Sequence, residues 1–214
     1  VEALAQWGVQ QALARMNGMF TFAVWDRELQ TMTLARDRMG IKPLYYSLTS
    51  SGLMFGSELK ALRAHPAFDN GIDRNALVLY LQHNYIPTPF SIYQQVQKLP
   101  AGSFLQVARE HGAGEKSVPV TYWSLREVAD RGQKDIFTGS ETEAADQLEQ
   151  LMRDAIRMRA LADVPVGAFL SGGIDSSTVV ALMQDECEQR VRTFTIGFED
   201  EEYDEAPFAA DIAS

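Results

Sequence analysis

Leu170-Ser171-Gly172-Gly173-Ile174-Asp175-Ser176-Ser177 follows directly on the apolar run Val164–Phe169. This pattern predicts a buried strand, a glycine turn, and a helix that begins with acidic and hydroxyl residues. Glycines let the backbone come close to an anion, and the free amides at a helix start point toward it with the positive end of the helix dipole. We therefore predict a phosphate-binding loop over residues 171–177.

The loop differs from the commoner kinase-type phosphate loop, which carries a lysine after its last glycine. No lysine occurs between Lys134 and the end of the chain. A loop without lysine that carries Asp175 favours pyrophosphate held by backbone amides and a metal ion. We predict an ATP site of the kind that splits ATP between its α- and β-phosphates. The alternative is an ordinary glycine turn between a strand and a helix.

The sequence around this loop predicts a parallel α/β sheet. Ser140-Glu141-Thr142-Glu143 is a capping box, and apolar residues at helical spacing follow it. After this helix come the predicted strand Val164–Leu170, the helix Asp175–Gln184 and the strand Val191–Phe198. Helix, strand, helix, strand is the opening of a parallel α/β sheet. Because open parallel sheets normally have more than two strands, we expect this domain to be cut short.

The first half of the chain instead predicts antiparallel sheet. The predicted strand pairs are Met19–Trp25 with Thr31–Ala35, Leu44–Leu48 with Leu53–Phe55 around Ser50-Ser51-Gly52, and Phe104–Val107 with Val118–Trp123 across the loose stretch Glu110–Lys116. Short helices are predicted over Glu58–Ala64 and Arg74–Gln82, the second capped by Asp73. Ile86-Pro87-Thr88-Pro89 is predicted to be extended, because each proline disfavours helix.

Two halves with such different patterns indicate two domains. Ser124–Gly139 is polar and charged without sustained periodicity, which is typical of a linker. We predict a first domain over residues 1–124, a linker over 125–139 and a second domain over 140–214.

Composition limits the classes of function. A formal net charge of −10 without a basic cluster argues against nucleic-acid binding. No stretch approaches the roughly 20 apolar residues of a membrane span, and the N-terminal residues lack the features of a signal peptide. The single cysteine, Cys187, excludes an internal disulfide and is expected in a reducing cytoplasm. We expect a cytoplasmic protein that binds neither nucleic acid nor membrane.

A set of short motifs in fixed order points to a family. They are Arg36-Asp37-Arg38-Met39-Gly40-Ile41-Lys42-Pro43-Leu44-Tyr45-Tyr46, Gly56–Leu62, Tyr85–Pro89, Lys98–Gly102, the loop Ser171–Ser177, Ile196–Phe198 and Tyr203–Glu205. In this order the motifs resemble those of glutamine-hydrolysing asparagine synthetases of the bacterial type. The resemblance extends from about Leu13 to the end of the chain.

The resemblance implies a two-part enzyme. Its N-terminal part would be the back of a glutaminase domain of the N-terminal-nucleophile class, a sandwich of antiparallel sheets that makes ammonia from glutamine. Its C-terminal part would begin a pyrophosphatase-type parallel α/β domain, which adenylates the side-chain carboxylate of aspartate with ATP and Mg²⁺ before ammonia displaces AMP. Adenylation gives the carboxylate a good leaving group, and channelled ammonia stays unprotonated. The substrates would be aspartate, glutamine and ATP, and the resemblance allows a homodimer of the full-length protein.

The resemblance also implies roles for loop residues. Backbone amides and hydroxyls of Ser171, Gly172, Gly173 and Ser176 would hold pyrophosphate, and Asp175 would face Mg²⁺ on it. Asp175 near the helix start also suits a capping role. Leu170 and Ile196 match positions that contact adenosine in the family. Taken without the family, both would be core residues.

The family's glutaminase nucleophile is an N-terminal cysteine, whereas residue 1 here is Val1. Cys187 is expected to be structural, because its acidic neighbours disfavour a thiolate. The charged segment Arg36-Asp37-Arg38 is interpreted as a salt-bridged structural turn. We therefore expect an internal fragment that holds no glutaminase catalytic residue and is inactive alone. Alternatives are a β-lactam-synthetase-like cyclase, an amidotransferase for another carboxylate, and a non-catalytic homologue.

Overall fold

The computed structural model describes residues 1–49, 52–109, 117–200 and 202–214. Backbone contacts divide the chain into two compact units, Val1–Asp135 and Ile136–Ser214. The predicted turn residues Ser50 and Ser51 and the predicted loose stretch Glu110–Lys116 lie outside the described residues. None of the described helices is long and apolar enough to cross a membrane.

The first unit combines helices with two antiparallel sheets. Its helices are α1 (Glu2–Arg15), α2 (Leu59–Arg63), α3 (Arg74–His83) and α4 (Leu125–Lys134). Its strands are β1 (Thr21–Asp26), β2 (Thr31–Arg36), β3 (Tyr45–Thr49), β4 (Gly52–Gly56), β5 (Gln97–Lys98), β6 (Ser103–Ala108) and β7 (Val120–Thr121). One sheet has the order β1-β2-β6-β7 and the other has the order β4-β3-β5. The predicted strand pairs are confirmed, β6 with β7 over a shorter length than expected.

Alternation along β2 and β6 gives the first sheet two apolar faces. Leu34, Leu105 and Val107 are buried with Leu44, Tyr46 and Leu99, so that this face packs against the second sheet. Their neighbours Ala35 and Phe104 point the other way and are buried with Leu13 of α1. The unit is therefore layered as helix, sheet and sheet. The sequence analysis missed α1, whose helical pattern is interrupted at Gly8, where φ is +72°.

One further prediction in the first unit is wrong, and the predicted linker contains a helix. Ser124 accepts a hydrogen bond from the Glu127 amide and begins α4, which spans ten residues of the predicted linker 125–139. No side chain of α4 is buried, and most of its ten residues are polar or charged. The segment Ile86–Pro89 is not extended throughout, because the amide of Phe90 donates to the Pro87 carbonyl and closes a turn over Thr88-Pro89. Prolines disfavour helix but accept turns.

The second unit contains α5 (Glu141–Ala160), β8 (Gly167–Phe169), α6 (Ile174–Asp185), β9 (Arg192–Phe194) and α7 (Ala206–Ala213). Strands β8 and β9 pair in parallel, as predicted, although both are shorter than the apolar runs that contain them. The predicted capping box at Ser140 and Glu143 is confirmed. Arg153 and Arg157 of α5 form ion pairs with Glu186 at the end of α6, which hold these two helices together.

Asp73 provides a simple test of local stability. Its carboxylate accepts hydrogen bonds from the amides of Asn75 and Ala76 at the start of α3, as predicted. We expect Asp73→Ala to lower the free energy of unfolding by about 1 kcal/mol, because the first-turn amides lose their acceptor. Asp73→Asn, which can also cap, should cost much less. Urea denaturation of the two variants measures this, and equal losses would show that the cap contributes nothing.

Candidate functional site

The loop Ser171–Ser177 lies at the carboxyl ends of two parallel strands. Leu170, directly after β8, donates its amide hydrogen to the Phe194 carbonyl at 3.0 Å. In return, the hydroxyl of Thr195, directly after β9, donates to the Leu170 carbonyl at 2.7 Å. These two bonds fix the point where both strands end. Ligands of open parallel α/β sheets bind at this edge.

Gly172 gives the loop its close approach to α7. Its φ is +80°, in the left-handed region that favours glycine. A Cβ added there would lie 2.7 Å from Phe208 Cβ and 3.2 Å from the Ala209 nitrogen. The backbone of the loop therefore packs directly against α7, without room for a side chain between them.

Hydroxyl groups of the loop hold its shape. The Oγ atoms of Ser171 and Ser176 lie 2.9 Å apart, and the Ser171 amide donates to Ser176 Oγ at 3.2 Å. The hydroxyls of Ser176 and Ser177 donate to the Gly173 carbonyl at 3.2 and 2.7 Å. The two ends of the loop are thus joined by hydroxyls, which would have to exchange these internal bonds in order to donate to a ligand.

The start of α6 has no side-chain cap. Its N-cap residue is Gly173, and no side chain accepts from the first turn. By contrast, Asp73, Ser124 and Ser140 cap α3, α4 and α5. The first-turn amides of a helix have no acceptor within it. The Gly173 amide donates a long bond, 3.4 Å, to Ser171 Oγ, whereas no side chain caps the first turn that follows. Gly173 and Ile174 are exposed, so this helix start is accessible to an external anion.

Asp175 is the second residue of α6 and is exposed. Its carboxylate therefore lies at the start of α6 but does not cap the helix. The capping role that the sequence suggested for Asp175 is wrong. In the part of the chain that the structure describes, no group of three or more His, Cys, Asp or Glu residues is arranged to hold a metal ion. A metal ion at Asp175 would need oxygen ligands from a bound molecule as well.

A second acidic residue organises the loop after β9. Asp204 Oδ1 accepts hydrogen bonds from the amides of Phe198 and Ala206, at 3.3 and 3.1 Å. Helix α7 begins at Ala206. Asp204 therefore connects the segment after β9 to the helix against which Gly172 packs. The sequence analysis did not predict the bond between Phe198 and Asp204.

The two residues predicted to contact adenosine lie in different environments. The Leu170 side chain is 2% exposed, whereas Ile196 is 67% exposed. Ile196 follows β9 by two residues, at the same sheet edge as the loop. Its exposed side chain is available to an apolar ligand, whereas Leu170 offers mainly its backbone.

Comparison with known proteins gives the family. The profile of the family described as glutamine amidotransferase domain matches residues 1–123. The chain belongs to this family. A second profile, described as asparagine synthase, matches residues 147–214 and includes the loop. The amidotransferase match covers the layered first unit up to Trp123, the last residue before the Ser124 cap.

Relatives of this amidotransferase chain carry related names. A Methanocaldococcus jannaschii protein provisionally named asparagine synthetase [glutamine-hydrolyzing] 2 is 36% identical over 90% of the chain and 36% of its own length. Asparagine synthetase [glutamine-hydrolyzing] 1 of Bacillus subtilis is 34% identical over 96% of the chain and 30% of its own length. Amidase chry2 of Gibberella zeae is 33% identical over 80% of the chain and 24% of its own length. The chain thus spans about a third of the length of the curated relatives that it matches first. These matches confirm the resemblance found in the sequence.

The charged segment in the amidotransferase match is structural, but not through the salt bridges that the sequence analysis expected. Asp37 is 1% exposed, and its carboxylate accepts from the amides of Ile41 and Lys42, both at 2.9 Å. Arg36 and Arg38 donate to backbone carbonyls instead of to carboxylates. The segment is thus a turn held by hydrogen bonds from its charged side chains to backbone groups. Cys187 lies just beyond the end of α6.

Proposed function

We propose that the protein that carries this sequence is a glutamine-hydrolysing asparagine synthetase. It takes ammonia from glutamine and uses ATP to activate the side-chain carboxylate of aspartate. The proposal is supported by an amidotransferase match followed along the chain by an asparagine synthase match. The names of the archaeal and Bacillus subtilis relatives agree with that order. Aspartate, glutamine and ATP are the proposed substrates, and the cytoplasm is the proposed compartment.

The proposed domains follow the sequence analysis, with one change. Residues 1–124 form the back of an N-terminal-nucleophile glutaminase sandwich, and residues 140–214 begin a pyrophosphatase-type sheet. The connection over 125–139 contains α4. No glutaminase catalytic residue is assigned to this chain, and its 214 residues alone are proposed to be inactive. A homodimer is compatible with the proposal.

One observation supports the nucleotide site most strongly: α6 begins at a glycine and has no side-chain cap. The proposed ligand of its amides is the pyrophosphate part of ATP. Ser171, Gly172, Gly173 and Ser176 contribute amides and hydroxyls, while Leu170 and Ile196 contact adenosine. Backbone amides can stabilise the negative charge of the phosphates without a lysine, because the helix already orients their dipoles toward the ligand.

The donor set suits Mg²⁺ on a nucleotide. Magnesium is usually held by one or two carboxylates together with substrate phosphates and water. Asp175 provides one exposed carboxylate beside the uncapped amides, and phosphate oxygens would complete the coordination. When bound, Mg²⁺ neutralises charge on the leaving pyrophosphate. Asp175 would hold the ion in place, and the loop amides would orient the phosphates.

One observation favours an acceptor other than aspartate. A relative that matches 80% of the chain is named amidase, not asparagine synthetase. An amidotransferase that acts on another carboxylate, or a cyclase that uses an internal amine, would retain the same ATP loop. A non-catalytic homologue would have no need of this loop.

Release of pyrophosphate tests the proposed reaction. The protein that carries this sequence is incubated with ATP, Mg²⁺ and glutamine, with and without aspartate. We expect pyrophosphate release to depend on aspartate and asparagine to form in equal amount. Release that depends on a different carboxylate would contradict the acceptor, and the absence of any release with a panel of carboxylates would contradict the enzyme assignment.

Asp175→Ala tests the proposed metal position. In the presence of Mg²⁺, we expect the variant to bind ATP roughly tenfold more weakly, because one carboxylate ligand is missing. This corresponds to about 1.4 kcal/mol of binding free energy. Affinity in EDTA should be unchanged. Asp163→Ala, which removes another exposed carboxylate in the same unit, is the control. Calorimetry measures both, and an equal loss with and without Mg²⁺ would contradict the metal role.

A further inference from the structure

We propose that a cavity in the first unit binds a small oxyanion, of the size of a carboxylate group or inorganic phosphate. The cavity has a volume of about 200 Å³ and is lined by Arg36, Pro43, Leu44, Tyr45, Tyr85, Ile86, Thr88 and Lys98. We call it the Arg36–Lys98 cavity. It takes no residue from the loop Ser171–Ser177, so neither proposal depends on the other.

Arg36 brings a fixed positive charge to this cavity. Its guanidinium donates to the carbonyls of Lys42, Leu99 and Gly40, at 2.8, 2.7 and 2.6 Å. A guanidinium has five N–H donors, so two remain after these three bonds. The three carbonyls hold the side chain rigidly but do not neutralise it. A positioned cation with spare donors is suited to an oxyanion.

Lys98 provides the second positive charge. Its ammonium donates to the Ile86 carbonyl, which leaves two of its three N–H donors for other partners. Burial lowers the pKa of Lys98, and the charge of Arg36 lowers it further. The two cations are therefore close enough to repel each other. An anion bound to both would relieve this repulsion.

The neighbouring carboxylate of Asp37 offsets part of the Arg36 charge but is not paired with either cation. Burial lowers the pKa of Arg36, and the charge of Asp37 acts in the opposite direction. The Asp37 oxygens, however, accept from the amides of Ile41 and Lys42. Among the residues that the structure describes, no carboxylate lies within 4.0 Å of either cation's nitrogens. Partly buried charges without a counter-ion are costly, and a ligand that brings negative charge offsets this cost.

The size and lining of the cavity define its ligand. About 200 Å³ is below the roughly 300–1,000 Å³ of pockets for drug-sized ligands. Tyr45, Tyr85 and Thr88 also line the cavity, and each carries a hydroxyl group that can donate to an oxygen atom. A nucleotide is too large, and an apolar ligand would leave both cations unpaired. A carboxylate or a single phosphate fits the charge, the donors and the volume.

The test is a titration of the chain with sodium phosphate and, separately, sodium acetate, at constant ionic strength, followed by NMR of its amide groups. We expect saturable shifts confined to residues around Tyr45, Thr88 and Lys98. Lys98→Met should weaken the binding about tenfold, because one of the two cations is lost. Lys60→Met, which removes an exposed lysine paired with Glu58, should have no effect.

The two anions distinguish carboxylate from phosphate binding, and saturation by either one supports the site. Lys98→Arg retains the charge and should retain most of the affinity, which separates loss of the cation from loss of folding. The proposal is overturned if neither anion gives saturable shifts at this cavity. It is also overturned if well-folded Lys98→Met binds as tightly as the unsubstituted chain.

Discussion

Gly172→Ala is expected to reduce ATP affinity on the order of 100-fold, about 2.7 kcal/mol. The added Cβ would lie 2.7 Å from Phe208 Cβ and 3.2 Å from the Ala209 nitrogen, so the loop must move away from α7. The φ of +80° adds strain for any residue with a side chain. Because anion binding by backbone amides depends on their exact positions, a small shift of the loop removes several hydrogen bonds together.

Two glycines provide controls for Gly172→Ala. Gly132, in α4, has no heavy atom within 4 Å of an added Cβ, so Gly132→Ala should leave ATP affinity unchanged and slightly stabilise the helix. Gly8 has a φ of +72° but open space around it, so Gly8→Ala introduces strain without a collision. Calorimetric titration with ATP and Mg²⁺ compares the three variants. Unchanged affinity in Gly172→Ala would mean that the loop does not bind the nucleotide.

Gly102→Ala is expected to lower the free energy of unfolding of the first unit by about 2–4 kcal/mol. A Cβ added to Gly102 would lie 2.2 Å from the Trp123 carbonyl oxygen, and the φ of Gly102 is +61°. This contact cannot relax easily, because the Gly102 carbonyl accepts from the amides of Tyr122 and Trp123. The Gly102 amide also donates to the Asp37 carbonyl, so a shift of Gly102 would disturb the turn after β2.

Gly8→Ala is the matched control for this stability prediction, since its φ is similar and its surroundings are open. It should cost about 1–2 kcal/mol, the strain of its backbone conformation without a collision. Urea denaturation followed by tryptophan fluorescence gives both values. If Gly102→Ala costs no more than Gly8→Ala, the close contact with Trp123 is not a constraint on the fold.

The sequence predicted elements that depend on local pattern. The apolar run before Leu170, the glycines and the hydroxyl residues predicted strand, turn and helix in the right order. Asp73 and Ser140 predicted helix starts, because capping depends on residues three apart or fewer. Alternation predicted the antiparallel pairs, because one face of each strand must be apolar.

Predictions failed where the sequence pattern was weak, or where a contact joins residues that are far apart in the sequence. Helix α1 contains Gly8 with positive φ, which breaks the apolar spacing. Helix α4 is short and mostly polar, and its signals were the Ser124 cap and the spacing of Leu125 and Val128. The packing of Gly172 against α7 and the bond from Phe198 to Asp204 join segments that only the folded chain brings together.

The candidate site shows the same division. The sequence predicts Ser171 and Ser176 as ligand residues, but it could not show that their hydroxyls lie 2.9 Å apart. It treated Leu170 and Ile196 alike, whereas one side chain is buried and the other is exposed. Burial depends on what packs over a residue, and this information is not local.

Binding of ATP with Mg²⁺ to the loop Ser171–Ser177 is the central claim, and isotope-labelled NMR tests it most directly. We titrate the chain with Mg²⁺ and ATP and follow the amide groups of residues 171–177. The account predicts saturable shifts in Gly172, Gly173 and Asp175, which pyrophosphate reproduces and Gly172→Ala removes. Shifts elsewhere in the chain with none in the loop, or identical shifts in Gly172→Ala, would contradict it.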